Sequence, residues 1–218
     1  VPWMVMGVIF LFNLVLWWVL MSTLQPEDQP TSNSYNGGSF FLFVYMLVIA
    51  TQAMNRTFPF ALGFGVTRRD YYLGTSLAFV IYSVCFGAAL TLLSLIEQWT
   101  SGWGVGLALF RTQLLGDDNL GQVLFVNIAG FVVFFLIGMV CGTVFVRWRA
   151  NGLVALGVIV ALLAIGSIAL ATLTNSWGRV GEWFVSSGAV GVTAWLLLFS
   201  LLFGFAGFFI LRRATPKN

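Results

Sequence analysis

The sequence has no histidine, only two cysteines, and a charged fraction of 8%. Without histidine there is no His-ligated metal, no His-based catalytic triad and no histidine pH switch. Cys85 and Cys141 both lie inside apolar runs, with no spacing that suggests a disulfide or a metal site, so they read as small buried hydrophobes. Lysine occurs once, at Lys217 in the tail, and no G-x-x-x-x-G-K-[ST] loop is present, so the chain cannot hydrolyse ATP by itself. No paired carboxylates or nucleophile–base spacings suit an intramembrane active site either, which leaves no catalytic site of its own to expect. No metal or other cofactor is expected on this chain, and no nucleic-acid partner.

What fills the sequence instead is apolar: 60% of its 218 residues are hydrophobic and 17% aromatic. Its mean hydropathy is +0.97. Soluble domains carry roughly 25% charged residues, and a domain of this size has too little interior to hide so much apolar surface. The composition therefore predicts an all-α, polytopic membrane protein, one transmembrane domain over residues 1–218, in which length counts spans.

Six apolar segments are long enough to cross about 30 Å of hydrocarbon at about 1.5 Å per residue. They fall at about 2–24, 39–55, 71–96, 123–146, 153–173 and 191–211. The first is too long for a signal peptide and has neither a basic n-region nor an A-x-A site. The sequence begins at Val1 without a methionine, which leaves a short upstream cytosolic segment to expect. Arg56, Arg68, Arg69, Arg147, Arg149, Arg212, Arg213 and Lys217 fall on one side of these spans, and Arg111 and Arg179 on the other. Because cations accumulate on the cytoplasmic side, both termini are expected inside. Of the acids, Asp70 alone falls with the cations; Glu27, Asp28, Glu97, Asp117, Asp118 and Glu182 fall outside, and no charge lies mid-span.

Among the outside loops, 25–39 reads as a flexible polar connection. Residues 97–122 carry Trp99 and Trp103 ahead of an apolar stretch that suits a helix in the headgroup plane. Residues 175–191 are too glycine-rich for a full span and suit a segment dipping part-way into the membrane. There is no internal repeat to suggest an inverted-repeat transporter. Gly138 and Gly142 form a G-x-x-x-G with Gly130 two turns earlier, and Gly204 and Gly207 stud the last span. This pattern suits close helix packing within the chain, with a subunit interface as the alternative.

Residues 57–75, TFPFALGFGVTRRDYYLGT, break the pattern. On this topology they lie in the first cytosolic loop, yet 58–66 is apolar with three phenylalanines. Thr57 is a plausible N-cap and Pro59 fits a first helical turn, which gives a helix of about nine residues and about 13 Å, too short to cross. Gly65 or a neighbour ends it. Thr67 then opens the third span through a T-x-x-D capping box with Asp70. Arg68 and Arg69, at a helix N-terminus, oppose the helix dipole and need a partner outside the helix. Anionic lipid headgroups and a docked soluble protein both suit them.

The order RTFPFALGFGVTRRDYYLGTSLAF resembles the loop between the second and third spans of type-2 ATP-binding-cassette (ABC) transporter permeases. In that family an apolar segment ending in Gly-x-Ser/Thr-Arg-Arg precedes an aromatic that opens the next helix. The resemblance implies that Phe58, Pro59, Phe60, Ala61, Leu62, Gly63, Phe64 and Gly65 form a coupling helix seated in a nucleotide-binding subunit, with Thr67, Arg68 and Arg69 at its exit. It also implies two copies of a cytosolic ATPase that carry the ATP and Mg, and a second permease, identical or a sibling. The complex would sit in a bacterial plasma membrane and act as an exporter. The six-span layout and a part-inserted outside segment before the last span are similar to that family as well. Many members begin with an interfacial amphipathic helix, whereas this sequence opens on the first span.

Two other functions fit a chain of this composition. An ion-coupled secondary transporter usually places ionisable groups at mid-membrane, and the polar groups here are amides and hydroxyls: Asn13, Gln52, Asn127, Ser83, Thr91, Ser167 and Ser200. Of these, Asn13, Gln52 and Asn127 are the candidate pathway residues, with interhelical hydrogen bonding as the plainer role. A non-transporting anchor or regulatory subunit is the other alternative. Phe-, Leu- and Val-rich spans with a few amides suit an amphiphilic or lipid-like cargo.

Overall fold

A computed structural model describes residues 2–23, 39–110 and 119–212, with side chains through Ile210. The polar connection expected at 25–38, the loop residues 111–118, and Arg213 and Lys217 lie outside them. The described residues are helical almost throughout and contain no strand. In chain order they form α1 (Pro2–Thr23), α2 (Phe40–Gln52), a π turn (Ala53–Thr57), α3 (Phe58–Gly63), α4 (Arg68–Trp99), α5 (Leu120–Leu173) and α6 (Trp177–Arg212).

Five helical stretches are long and apolar enough to cross a membrane: Pro2–Thr23, Phe40–Gly63, Arg68–Trp99, Leu120–Leu173 and Trp177–Ile210. Such a chain has the make-up of a multi-pass membrane protein. The expected fourth and fifth segments are joined, because α5 runs for 54 residues. At about 1.5 Å per residue an unbroken helix of that length would extend about 81 Å, far beyond a bilayer. The run changes direction at Arg149, whose φ of 59° and ψ of −150° are non-helical. In the same way Gly188, at φ 59° and ψ −175°, divides α6. Residues 177–187, expected as a glycine-rich loop, are helical and lead into α6 through that glycine.

The arm of α5 before Arg149 is the hub of the molecule. Phe131, Phe135, Met139 and Thr143 on it are fully or nearly fully buried, and it packs against α2, α4 and α6. Hydrocarbon offers no hydrophobic drive between helices, so association depends on close van der Waals packing and interhelical hydrogen bonds. The glycines supply the first. A Cβ on Gly142 would stand 2.5 Å from Cβ of Met54, and one on Gly138 2.8 Å from that of Ala50. The small-residue face thus packs within the chain, against α2. Thr51 Oγ donates to the Leu47 carbonyl at 2.9 Å and to that of Gly138 at 3.2 Å.

Aromatic stacking joins the other helices to the same arm: Phe43 of α2 stacks on Phe131 at 4.4 Å, and Phe79 of α4 on Phe135 at 4.1 Å. Tyr72 of α4 donates to the Gly204 carbonyl of α6 at 2.5 Å. The arm of α5 after Arg149 is mostly exposed. Cys141 is half-buried, but Cys85 is exposed, which corrects the expectation that both are buried: Cys85 lies on the outward side of α4.

Candidate functional site: the aromatic stub between α2 and α4

The expected short helix exists, but it is not a separate piece. α2 continues into the π turn and from there directly into α3. Thr57 is therefore not a cap; its φ of −81° and ψ of −30° are helical, and its side chain makes no capping hydrogen bond. An N-cap needs a helix start, and here the backbone is already helical. α3 itself spans six residues, fewer than the nine or so that the apolar run suggested. It closes as a Schellman motif: the Val66 amide donates to the Ala61 carbonyl at 3.2 Å, and that of Gly65 to the Leu62 carbonyl at 3.0 Å. Gly65 takes the required left-handed conformation, with φ 82°.

The stub has two faces of opposite accessibility. Phe58 is fully buried and its ring lies 5.3 Å from that of Tyr71; Leu62, one turn on, packs against the core. Phe60 and Phe64 point the other way, 65% and 73% exposed, with their rings edge-to-face at 4.7 Å. Pro59, Gly63 and Gly65 are exposed with them, and Ala61 is half-buried. Both faces are apolar, and among the described residues only one of them is covered.

Tyr71 ties the inner face to the following helix. Its hydroxyl donates to the Ala53 carbonyl at 2.7 Å, an oxygen that also accepts the Phe58 amide in the π turn. The same turn holds Asn55, whose Oδ1 is buried without a hydrogen-bond partner. An unmet buried acceptor costs about 1–3 kcal/mol, and π turns concentrate at functional positions.

α4 opens as expected from Thr67, which has an extended backbone at φ −72°, ψ 151°. The Asp70 amide donates to Thr67 Oγ at 3.1 Å, and the Thr67 hydroxyl donates in return to the Asp70 carboxylate at 2.6 Å. Asp70 in the first turn offsets part of the cost, about 0.3–1 kcal/mol, of setting cations at that end of the dipole. Arg69 is exposed and Arg68 half-buried.

The three candidate pathway amides have different surroundings. Asn13 donates to the Ile9 carbonyl of its own helix at 2.8 Å. Asn127 is buried and donates to Thr91 of α4 at 3.0 Å, the helix-bridging role. Gln52 is exposed at the end of α2.

One acid counted only as an outside charge proves central to its loop. Glu97 is buried, and its carboxylate accepts the Leu109 amide at 2.9 Å, the Phe110 amide at 3.0 Å and the Trp103 indole at 3.3 Å. Over the described residues 101–110, the loop it gathers is not the headgroup-plane helix expected from its apolar residues. Ser101, Gly102, Trp103, Gly104 and Gly106 all have positive φ, so the chain turns repeatedly and folds inward. Leu107 and Leu109 are fully buried. On the α1 side, Trp17 donates to the Val105 carbonyl at 2.5 Å, and the Phe10 ring lies 4.7 Å from that of Trp103. Alternating glycines at 102, 104 and 106 were the available signal for an irregular loop; nothing in the sequence pointed to the carboxylate as its anchor.

No protein-family model matches the chain, and neither a curated protein nor a solved structure matches it. The functional reading therefore rests on the stub and the helices it joins.

Proposed function

We propose that the chain is the membrane permease subunit of an ATP-driven exporter of the type-2 ABC kind, and that α3 is its coupling helix. The observation that carries this is the Phe60–Phe64 pair, exposed among the described residues, on a helix continuous with α2. Exposed aromatic anchors beside cations fit a cleft on a soluble partner far better than they fit water. In this reading two cytosolic ATPase subunits hold ATP and Mg, and two permeases, identical or siblings, form one pathway in a bacterial plasma membrane. Arg68 and Arg69 meet acids on the ATPase rim.

The mechanism follows from the connections of the stub. Closure of the ATPase pair displaces α3. Because α3 and α2 share one helical track, the displacement tilts α2, and Tyr71 carries it to α4 through Phe58 and the Ala53 carbonyl. The π turn is the compliant element. Six crossings with both termini cytosolic follow if Arg149 and Gly188 mark returns of the chain, with 177–187 as the part-inserted outer segment. An amphiphilic or lipid-like substrate suits the apolar helix faces. Glu97 does not revive an ion-coupled mechanism: it lies in the last turn of α4, and its carboxylate is committed to backbone amides of the outer loop.

The test is to replace Phe60 and Phe64 together by serine in the native membrane. The expected result is loss of both ATPase association and export with the permease level unchanged; full retention of both would overturn the proposal.

A further inference from the structure

At the bend around Arg149, the two arms of α5 approach closely and then diverge. A Cβ on Gly152 would stand 2.5 Å from Cβ of Trp148 and 3.1 Å from Val144, so the arms meet there with no room for a side chain. Beyond this contact they leave a groove of about 450 Å³, walled by Val144, Trp148, Ala155, Leu156 and Ile159, with Asn151 as its polar lining residue. A cation lies beside the wall: the Arg147 guanidinium carbon is 4.6 Å from the centre of the ring of Trp148, a wall residue. Stacked there, the guanidinium keeps its N–H edges available to an anion.

An apolar channel with a cation and an amide at one end has the polarity of an acyl chain and its headgroup. We propose that this groove binds one anionic phospholipid of the surrounding bilayer, its headgroup on Arg147 and Asn151 and an acyl chain along Ala155, Leu156 and Ile159. Basic pockets between membrane helices select anionic headgroups in this way, and one arginine near the surface contributes about fivefold in affinity. The site goes beyond the exporter proposal and does not depend on it; it requires only that the two arms of α5 lie in a bilayer.

The full chain, reconstituted in an equimolar mixture of phosphatidylglycerol and phosphatidylcholine, is released gently and its retained lipids are counted by native mass spectrometry. Three forms are compared: the natural chain, Arg147→Gln, and Ala155→Phe, which fills the groove from an exposed position. The natural chain should retain phosphatidylglycerol preferentially, and both variants should reduce that preference by about fivefold or more. Equal retention of the two lipids by the natural chain would overturn the site. So would a loss in Arg147→Gln alone, which would mean surface charge without a groove, or a loss in Ala155→Phe alone, which would mean a groove without headgroup selection.

Discussion

The phenol of Tyr71 donates a 2.7 Å hydrogen bond to the carbonyl of Ala53, joining the first turn of α4 to the π turn at the end of α2. That bond and the Phe58–Tyr71 ring contact make the stub a fixed extension of two helices rather than a dangling loop. Tyr72, the next residue, reaches α6 through Gly204. Successive tyrosines thus connect α4 in two directions.

Tyr71→Phe removes the hydroxyl and leaves the ring. The Ala53 carbonyl keeps the Phe58 amide, so the cost should be about 1 kcal/mol, or roughly fivefold in local opening. Hydrogen exchange at residues 53–58 should speed up by that factor while the amides of the α5 hub keep their rates. Unchanged exchange at 53–58 would mean that Tyr71 does not restrain the turn.

The exposed rings should be dispensable for folding. Phe60 and Phe64 are mostly exposed, so Phe60→Ser with Phe64→Ser should change unfolding free energy by about 0.5 kcal/mol or less. Phe58→Ser, at a fully buried position, should cost about 3 kcal/mol or more. Thermal unfolding in one detergent would distinguish the two faces; equal effects would mean that the outer face is packed.

The glycine face of α5 gives a reciprocal test. Gly142→Ala places a methyl 2.5 Å from Cβ of Met54, an overpacking cost of about 1–3 kcal/mol. Met54→Gly should recover part of that cost in a double-mutant cycle. Gly157→Ala meets no atom within 4 Å and should be neutral or slightly stabilising.

Glu97 should govern the loop after α4. Glu97→Ala strands the Leu109 and Phe110 amides, at about 1–3 kcal/mol for each, whereas Glu97→Gln keeps a carbonyl oxygen in place of the one that accepts both, without its charge. Limited proteolysis between residues 101 and 110 should rank alanine fastest, glutamine intermediate and the natural chain slowest. Equal rates would show that the loop stays closed without the carboxylate.

That long apolar helices make up most of the chain was legible from its composition, although their ends and number were not; the Thr67–Asp70 cap and the Gly65 stop were legible because local backbone geometry sets them. The continuity of α2 with α3 was not. Thr57 and Pro59 have the residue types of a helix start, but helical backbone upstream makes Thr57 an interior residue. Arg149 gave no local sign that it alone would break α5, since a left-handed arginine is held by its surroundings rather than by its own preference. The role of Glu97 depends on amides 12 and 13 residues away, a separation at which composition and periodicity carry no information.

The most direct measurement replaces Phe64 with a photo-crosslinking amino acid in native membranes, followed by irradiation and sequencing of the adduct. The expected adduct is a cytosolic protein bearing a G-x-x-x-x-G-K-[ST] loop whose ATPase activity depends on this chain. Adducts formed only with lipid, or only within the chain itself, would contradict the assignment of α3 as a coupling helix and the exporter reading with it.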